Sequence, residues 1–149
     1  MRRRIAILVL LAMPLAGVDL LVKAVLPTDP YFFHQRSGTW MMASAFLLVL
    51  ALLLARLPSR LLAASAGLFA AGVLGNLVSA LVHHGLVPNP FVIYGRDQEL
   101  AFNLADLYVL AGILLLTASS LRVAVRYRHC LPQSSIAVRL IRRYRSSNA

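Results

Sequence analysis

The sequence predicts an all-α, polytopic membrane protein, a bundle of four transmembrane helices joined by short outer loops. Of the 149 residues, 60% are hydrophobic and only 13% are charged, and the mean hydropathy is +0.76. A soluble domain is about half apolar and about a quarter charged. The apolar residues fall into four stretches of roughly the 20 residues that a spanning helix needs. Basic residues stand at the ends of these stretches, which is typical of membrane proteins.

The distribution of positive charge argues against a nucleic-acid partner and predicts the orientation. The net charge is +10, but the basic residues flank the apolar stretches and do not line one surface. With both termini in the cytoplasm, the outer side carries only Lys23, Arg36 and Arg96. Because cytoplasmic loops hold the excess of Lys and Arg, we expect a bacterial inner-membrane protein with this orientation.

The first apolar stretch, residues 5–26, contains two ionisable residues. Asp19 and Lys23 are four residues apart with the acid first, which is the favourable order for an ion pair along a helix. Two interpretations stay open: the pair neutralises itself near the outer end of the helix, or it contributes to a site. A signal peptide would also begin with basic residues, but further spans follow. We therefore expect a retained helix.

The second and third stretches, residues 39–55 and 61–82, are predicted to be neighbours. The turn at residues 56–60 is short enough to make them antiparallel. The third stretch has no formal charge, but Asn76 lies in it directly after a glycine. Small residues permit close helix approach. Asn76 is therefore either an interhelical hydrogen-bonding group or part of a polar site.

The fourth stretch, residues 100–121, contains the sharpest single candidate. Asp106 has no obvious local counter-ion, and an ionised residue at the centre of a membrane helix costs about 2.5–3.5 kcal/mol on insertion scales. Asn103 lies three residues earlier, on the same face of the predicted helix. We interpret the two as a functional polar cluster. The alternative is a buried acid that is hydrogen-bonded for packing alone.

The chain divides into a transmembrane domain, residues 1–122, and a basic cytoplasmic tail, residues 123–149. In the tail, Ile136, Leu140 and Tyr144 recur every four residues among arginines. This pattern indicates either a short amphipathic helix on an anionic leaflet or a disordered basic segment. The histidines and the single cysteine show no metal-ligand spacing, so we predict neither a metal nor a cofactor.

Three segments give the sequence a resemblance to a known family. They are Gly72-Val-Leu-Gly75-Asn76-Leu-Val-Ser79, Gly85-Leu-Val-Pro-Asn89 and Phe102-Asn-Leu-Ala-Asp106. Together with the acid and the lysine of the first stretch, they resemble lipoprotein signal peptidase (signal peptidase II) across essentially all four helices. The resemblance implies a membrane aspartic peptidase that removes the signal peptide from diacylglyceryl-modified prolipoproteins.

The sequence departs from the family's pattern at the residues that carry the chemistry. The family's Asp-Arg pair in the third helix is replaced by Ser79 and Ala80, and its first catalytic aspartate falls on Asn89. Only the second aspartate, Asp106, is retained. An aspartic peptidase needs one carboxyl as base and another as acid, and an amide cannot exchange a proton in this way.

We therefore expect a catalytically impaired pseudo-peptidase with an accessory role in binding lipid or a lipopeptide. The former dyad would be Asp106 and Asn89. The substrate-binding remnant would consist of polar side chains from the first, third and fourth stretches: Asn103, Asn76, Asp19 and Lys23. Expected partners are membrane lipid and either a lipidated prolipoprotein or another membrane protein.

Two alternatives stay open at this point. One is an active peptidase whose dyad is re-formed beside Asp106 by Asp97, Glu99 or Asp19. The other is a purely structural subunit of a membrane complex, in which the buried polar groups only join helices. An active peptidase requires another carboxyl near Asp106. A structural subunit predicts that no groove opens around Asp106.

Overall fold

The computed structural model describes residues 1–96 and 98–128, and it contains four helices. They are α1 (Arg2–Val25), α2 (Gly38–Leu54), α3 (Arg60–Val82) and α4 (Leu104–Arg126). Helices α1, α3 and α4 are long and apolar enough to cross a membrane, whereas α2 is apolar but has only 17 residues. The predicted fold class, a helical membrane protein built on four helices, is confirmed.

The predicted basic tail lies almost entirely outside the described residues. The structure describes the chain only as far as residue 128. The division at residue 122 and the amphipathic helix around Leu140 therefore stay predictions.

Two loops contribute short strands that the sequence analysis did not predict. Strand β1 (Phe33–Gln35) pairs antiparallel with β2 (Leu86–Pro88), and β3 (Phe91–Tyr94) pairs antiparallel with β4 (Glu99–Phe102). These strands belong to the α1–α2 and α3–α4 connections, so both small sheets lie at the same end of the bundle. We call this end the sheet end.

Helix α4 begins at Leu104, four residues later than the predicted start at residue 100. Residues 100–102 continue the apolar stretch in sequence but pair in β4, where the Phe102 and Phe91 ring centroids lie 5.6 Å apart. The Asn103 side chain then accepts a hydrogen bond from Asp106 N at 3.0 Å, and Asp106 Oδ2 accepts one from Asn103 N at 3.1 Å. This reciprocal capping box fixes the start of the helix.

Helix α3 forms the centre of the bundle because its small residues let the other helices approach. It is buried along most of its length, whereas α1 and α4 are mostly exposed. Gly67 faces the backbone of Leu8 on α1, and Gly72 faces the backbone of Ala105 at the start of α4. Close packing at glycines is the usual way in which membrane helices associate. The apolar side chains that remain exposed on α1, α2 and α4 suit a surface in contact with lipid.

We expect Gly112→Ala to destabilise the fold. A Cβ atom at Gly112 would lie 2.5 Å from Phe69 Cα and 2.6 Å from its backbone nitrogen, so α3 and α4 would have to separate. Overpacking of this kind typically costs about 1–3 kcal/mol. The measurement is the free energy of unfolding in detergent.

Gly17→Ala is the matched control for this substitution. Gly17 also lies in a helix, but a Cβ atom there has no neighbouring atom within 4 Å. Alanine is favoured over glycine in a helix by roughly 0.5–1 kcal/mol, so the control should be neutral or stabilising. Equal effects of the two substitutions would contradict the close packing of α4 on α3.

Candidate functional site

Polar side chains at the sheet end form one connected hydrogen-bond network that begins on α1. Asp19 and Lys23 are both buried, with 0% and 8% of their surface exposed. Lys23 Nζ donates to Asp19 Oδ2 at 2.7 Å and to Asn76 Oδ1 at 2.8 Å. Asp19 Oδ1 accepts from the Ala105 backbone nitrogen at 2.8 Å. The pair predicted as an ion pair along the helix is therefore also the link from α1 to α3 and α4.

Asp106 is held at both of its carboxylate oxygens. Asn76 Nδ2 donates to Oδ1 at 2.8 Å, and Asn103 N donates to Oδ2 at 3.1 Å. The sequence predicts that Asn103 and Asp106 share one face of a helix, but Asn103 lies just before α4 and caps it. The capping box and Asn76 together fix the orientation of the carboxylate.

Asn89 lies in the same network, one side chain further from Asp106. It is fully buried, and its Oδ1 accepts from Asn103 Nδ2 at 2.6 Å. Its Nδ2 donates to His34 Nδ1 at 3.0 Å. Both ends of the amide are therefore used, and Asn103 stands between Asn89 and Asp106.

His34 is a site residue that the sequence analysis missed. It lies in β1, and it meets Asn89 because β1 pairs with β2, which ends directly before Asn89. A single histidine in a loop has no spacing that relates it to residues 55 positions later. Only the pairing of the two strands brings them together.

The network contains all six predicted site residues, and among the described residues no other carboxylate is hydrogen-bonded to Asp106. Asp19 is separated from Asp106 by Lys23 and Asn76. Glu99 is an exposed residue of β4, and Asp97 lies outside the described residues. Among the residues that the structure describes, no hydrogen bond joins Asp106 to another carboxylate.

The two replaced positions of α3 are buried and lack charge. Ser79 and Ala80 are 1% and 0% exposed. Ser79 Oγ has no hydrogen-bond partner among the described residues. Where the family resemblance would place an acid and an arginine, this helix therefore presents a small hydroxyl and a methyl group.

A groove of about 490 Å³ opens beside the network, between α2, α3 and α4. Asn76 and Asp106 line it near the sheet end together with Arg36 and Trp40. Along the remainder of the groove the lining is almost entirely apolar. The groove therefore combines a polar end with an apolar channel.

The family of the chain follows from its sequence. Residues 30–122 match the model of the family described as Signal peptidase (SPase) II. This match covers more than half of the chain and includes Asn76, Asn89, Asn103 and Asp106. The chain belongs to the signal peptidase II family. It is therefore an integral membrane protein, in agreement with its long apolar helices.

Two solved structures have the same fold as this signal peptidase II-like protein. Both are described as bacterial membrane enzymes studied by the in meso method, at 1.9 and 2.3 Å resolution. The first is 19% identical, with 76% of this chain and 92% of the other covered and a TM-score of 0.60. The second is 16% identical, with 87% of this chain and 93% of the other covered and a TM-score of 0.57. No curated protein sequence matches the chain.

Proposed function

We propose that this signal peptidase II-like protein binds the lipid-modified segment of a prolipoprotein, or a similar lipopeptide, without hydrolysing it. The observation that carries the proposal is Asn89. The family resemblance assigns the second carboxyl to the position of Asn89, which is joined to Asp106 through Asn103, and both ends of the Asn89 amide are already hydrogen-bonded.

The loss of hydrolysis follows from the chemistry of the amide. Peptide cleavage by a carboxyl dyad needs one group to take a proton from water and another to give one to the carbonyl. Asn89 can do neither. Removing a general acid or base typically slows a reaction by about 10²–10⁴-fold. Asp106 remains as a single carboxylate with its two oxygens held by Asn76 and Asn103.

The binding role is supported by the groove beside Asp106. It is apolar over most of its length, so acyl chains can enter it, and its polar end offers hydrogen bonds to a peptide backbone or an ester. A purely structural subunit would have no need of such a groove next to its buried polar groups. The groove therefore favours a binding protein over the structural alternative.

We expect the purified full-length protein to bind a fluorescent diacylglyceryl-modified prolipoprotein and to leave it uncut. Ser44 is buried on α2 and lines the groove, so Ser44→Phe should fill the groove and lower the affinity at least about tenfold. Ala45 is the next residue of the same helix and is exposed, so Ala45→Phe is the matched control. Binding is measured by fluorescence anisotropy and cleavage by a gel shift of the substrate.

Two outcomes would contradict the proposal. Cleavage by the unaltered protein that disappears with Asp106→Asn would show an active peptidase, and Asp97→Asn would then test the acid outside the described residues. Equal binding by Ser44→Phe and Ala45→Phe would show that the lipopeptide does not use the groove.

A further inference from the structure

Arg36 presents an unused hydrogen-bond donor at the polar end of the groove. Its guanidinium carbon lies 4.9 Å from the centroid of the Trp40 ring, a cation–π distance that orients the group. Its Nε atom is excluded from solvent and has no hydrogen-bond partner among the described residues. A buried donor without an acceptor is costly. Arg36 therefore lines the polar end of the groove with a guanidinium whose Nε is unpaired among the described residues.

The neighbouring polar groups do not supply this acceptor. Asn76 and Asp106 line the same groove, but they are hydrogen-bonded to each other, and Asp106 is also bonded to Asn103. Among residues 1–96 and 98–128, no acid lies within ion-pair distance of Arg36, since the one such pair joins Lys23 and Asp19. Within the described residues, Arg36 therefore has no charged acceptor.

The groove continues from Arg36 as an apolar channel between two helices. Leu47, Leu50 and Leu54 line it from α2, and Val109, Ile113 and Leu116 line it from α4. From Trp40 to Leu54, α2 rises by about 21 Å at about 1.5 Å per residue. This length accommodates an extended acyl chain.

We propose that the groove binds an anionic glycerophospholipid, with the phosphate group on Arg36 and one acyl chain between α2 and α4. A planar guanidinium is well suited to pair with phosphate oxygens. A diacylglyceryl group on a cysteine bears esters and a thioether but no charge, so it can accept a hydrogen bond from Arg36 but cannot form an ion pair with it. This inference goes beyond the proposed function, because it assigns a lipid occupant that is chemically different from the lipopeptide.

Trp40 provides a local probe for this lipid because it is the single tryptophan of the chain. The full-length protein is placed in phosphatidylcholine nanodiscs with a minor fraction of lipid whose acyl chains are brominated and quench tryptophan. We expect brominated phosphatidylglycerol to quench Trp40 at a mole fraction about tenfold lower than brominated phosphatidylcholine. Equal quenching of Trp40 by the two brominated lipids in the unaltered protein would overturn the proposal.

Two matched substitutions test the role of Arg36. Arg36→Gln should abolish the preference for phosphatidylglycerol, whereas Arg96→Gln should leave it unchanged, because Arg96 lies outside this groove in an exposed loop. Each curve of Trp40 fluorescence against the fraction of brominated lipid is normalised to the fluorescence of the same variant in unbrominated lipid. Equal loss of the preference in both variants would overturn the assignment to Arg36. Stronger quenching by a brominated fatty acid than by phosphatidylglycerol would overturn the choice of a phospholipid.

Lipopeptide binding by Arg36→Gln separates this inference from the proposed function. Normal lipopeptide binding together with loss of the phosphatidylglycerol preference supports the assignment of Arg36 to the phospholipid. If the preference persists in Arg36→Gln, the phospholipid inference fails, and the lipopeptide assay still decides the proposed function independently.

Discussion

An Asn89→Asp variant is expected to cleave a diacylglyceryl-modified prolipoprotein at least about 10²-fold faster than the unaltered protein. Aspartate has the same shape as asparagine, so it fits the fully buried position without displacing a neighbour. Its carboxylate accepts the hydrogen bond from Asn103 Nδ2 that Asn89 Oδ1 accepts now. The substitution therefore adds a second carboxyl to the network of Asp106, and its other oxygen can accept a hydrogen bond from His34 only in the tautomer that carries the proton on Nδ1.

The measurement is the rate of release of the signal peptide, compared with a variant that carries both Asn89→Asp and Asp106→Asn. This double variant restores the number of carboxyls to one and should be as inactive as the unaltered protein. The prediction is wrong if Asn89→Asp binds the prolipoprotein normally and still does not cut it. In that case the charge lost at Ser79 and Ala80 would be as important as the charge lost at Asn89.

A Lys23→Met variant is expected to lose about 3–5 kcal/mol of stability, because it leaves a buried charge without its partner. Asp19 would keep only the hydrogen bond from the Ala105 backbone, since its ion pair with Lys23 accounts for the other oxygen. Asn76 would lose a donor at the same time. Chemical denaturation in detergent, monitored by circular dichroism, measures the effect.

The control is the double variant Asp19→Asn with Lys23→Met. The amide oxygen introduced by Asp19→Asn can still accept the hydrogen bond from the Ala105 backbone nitrogen, and no unpaired charge is left. We therefore expect the double variant to be more stable than Lys23→Met alone. If the two variants unfold at the same denaturant concentration, the unpaired carboxylate is not the cause of the loss. The stability would then depend on the packing of the lysine stem.

The helices could be predicted because hydropathy over long windows determines where they lie. The polar site residues could be predicted because a charged or amide side chain in an apolar stretch is rare and needs a partner. The start of α4 was placed too early, because apolar residues in β4 continue the pattern of the helix that follows. Its true start depends on a hydrogen bond between Asn103 and Asp106, which hydropathy does not describe.

Contacts between distant loops could not be predicted from the sequence. Strands β1 and β2 have three residues each, and their pairing joins positions about 50 residues apart. Such short segments carry no periodicity, so neither the sheet nor the contact between His34 and Asn89 had a local signal.

The capping box of α4 changes what the survival of Asp106 means. The Asp106 carboxylate caps the first turn of α4 and also lines the groove. A substitution that removes it would therefore weaken the start of the helix even in a protein that does not cleave peptides. Asn89 makes no hydrogen bond at a helix start among the described residues. The Phe-Asn-Leu-Ala-Asp segment therefore reflects how this helix begins, and under the proposed function the residue directly after β2 is the one to compare between relatives that cut peptides and relatives that do not.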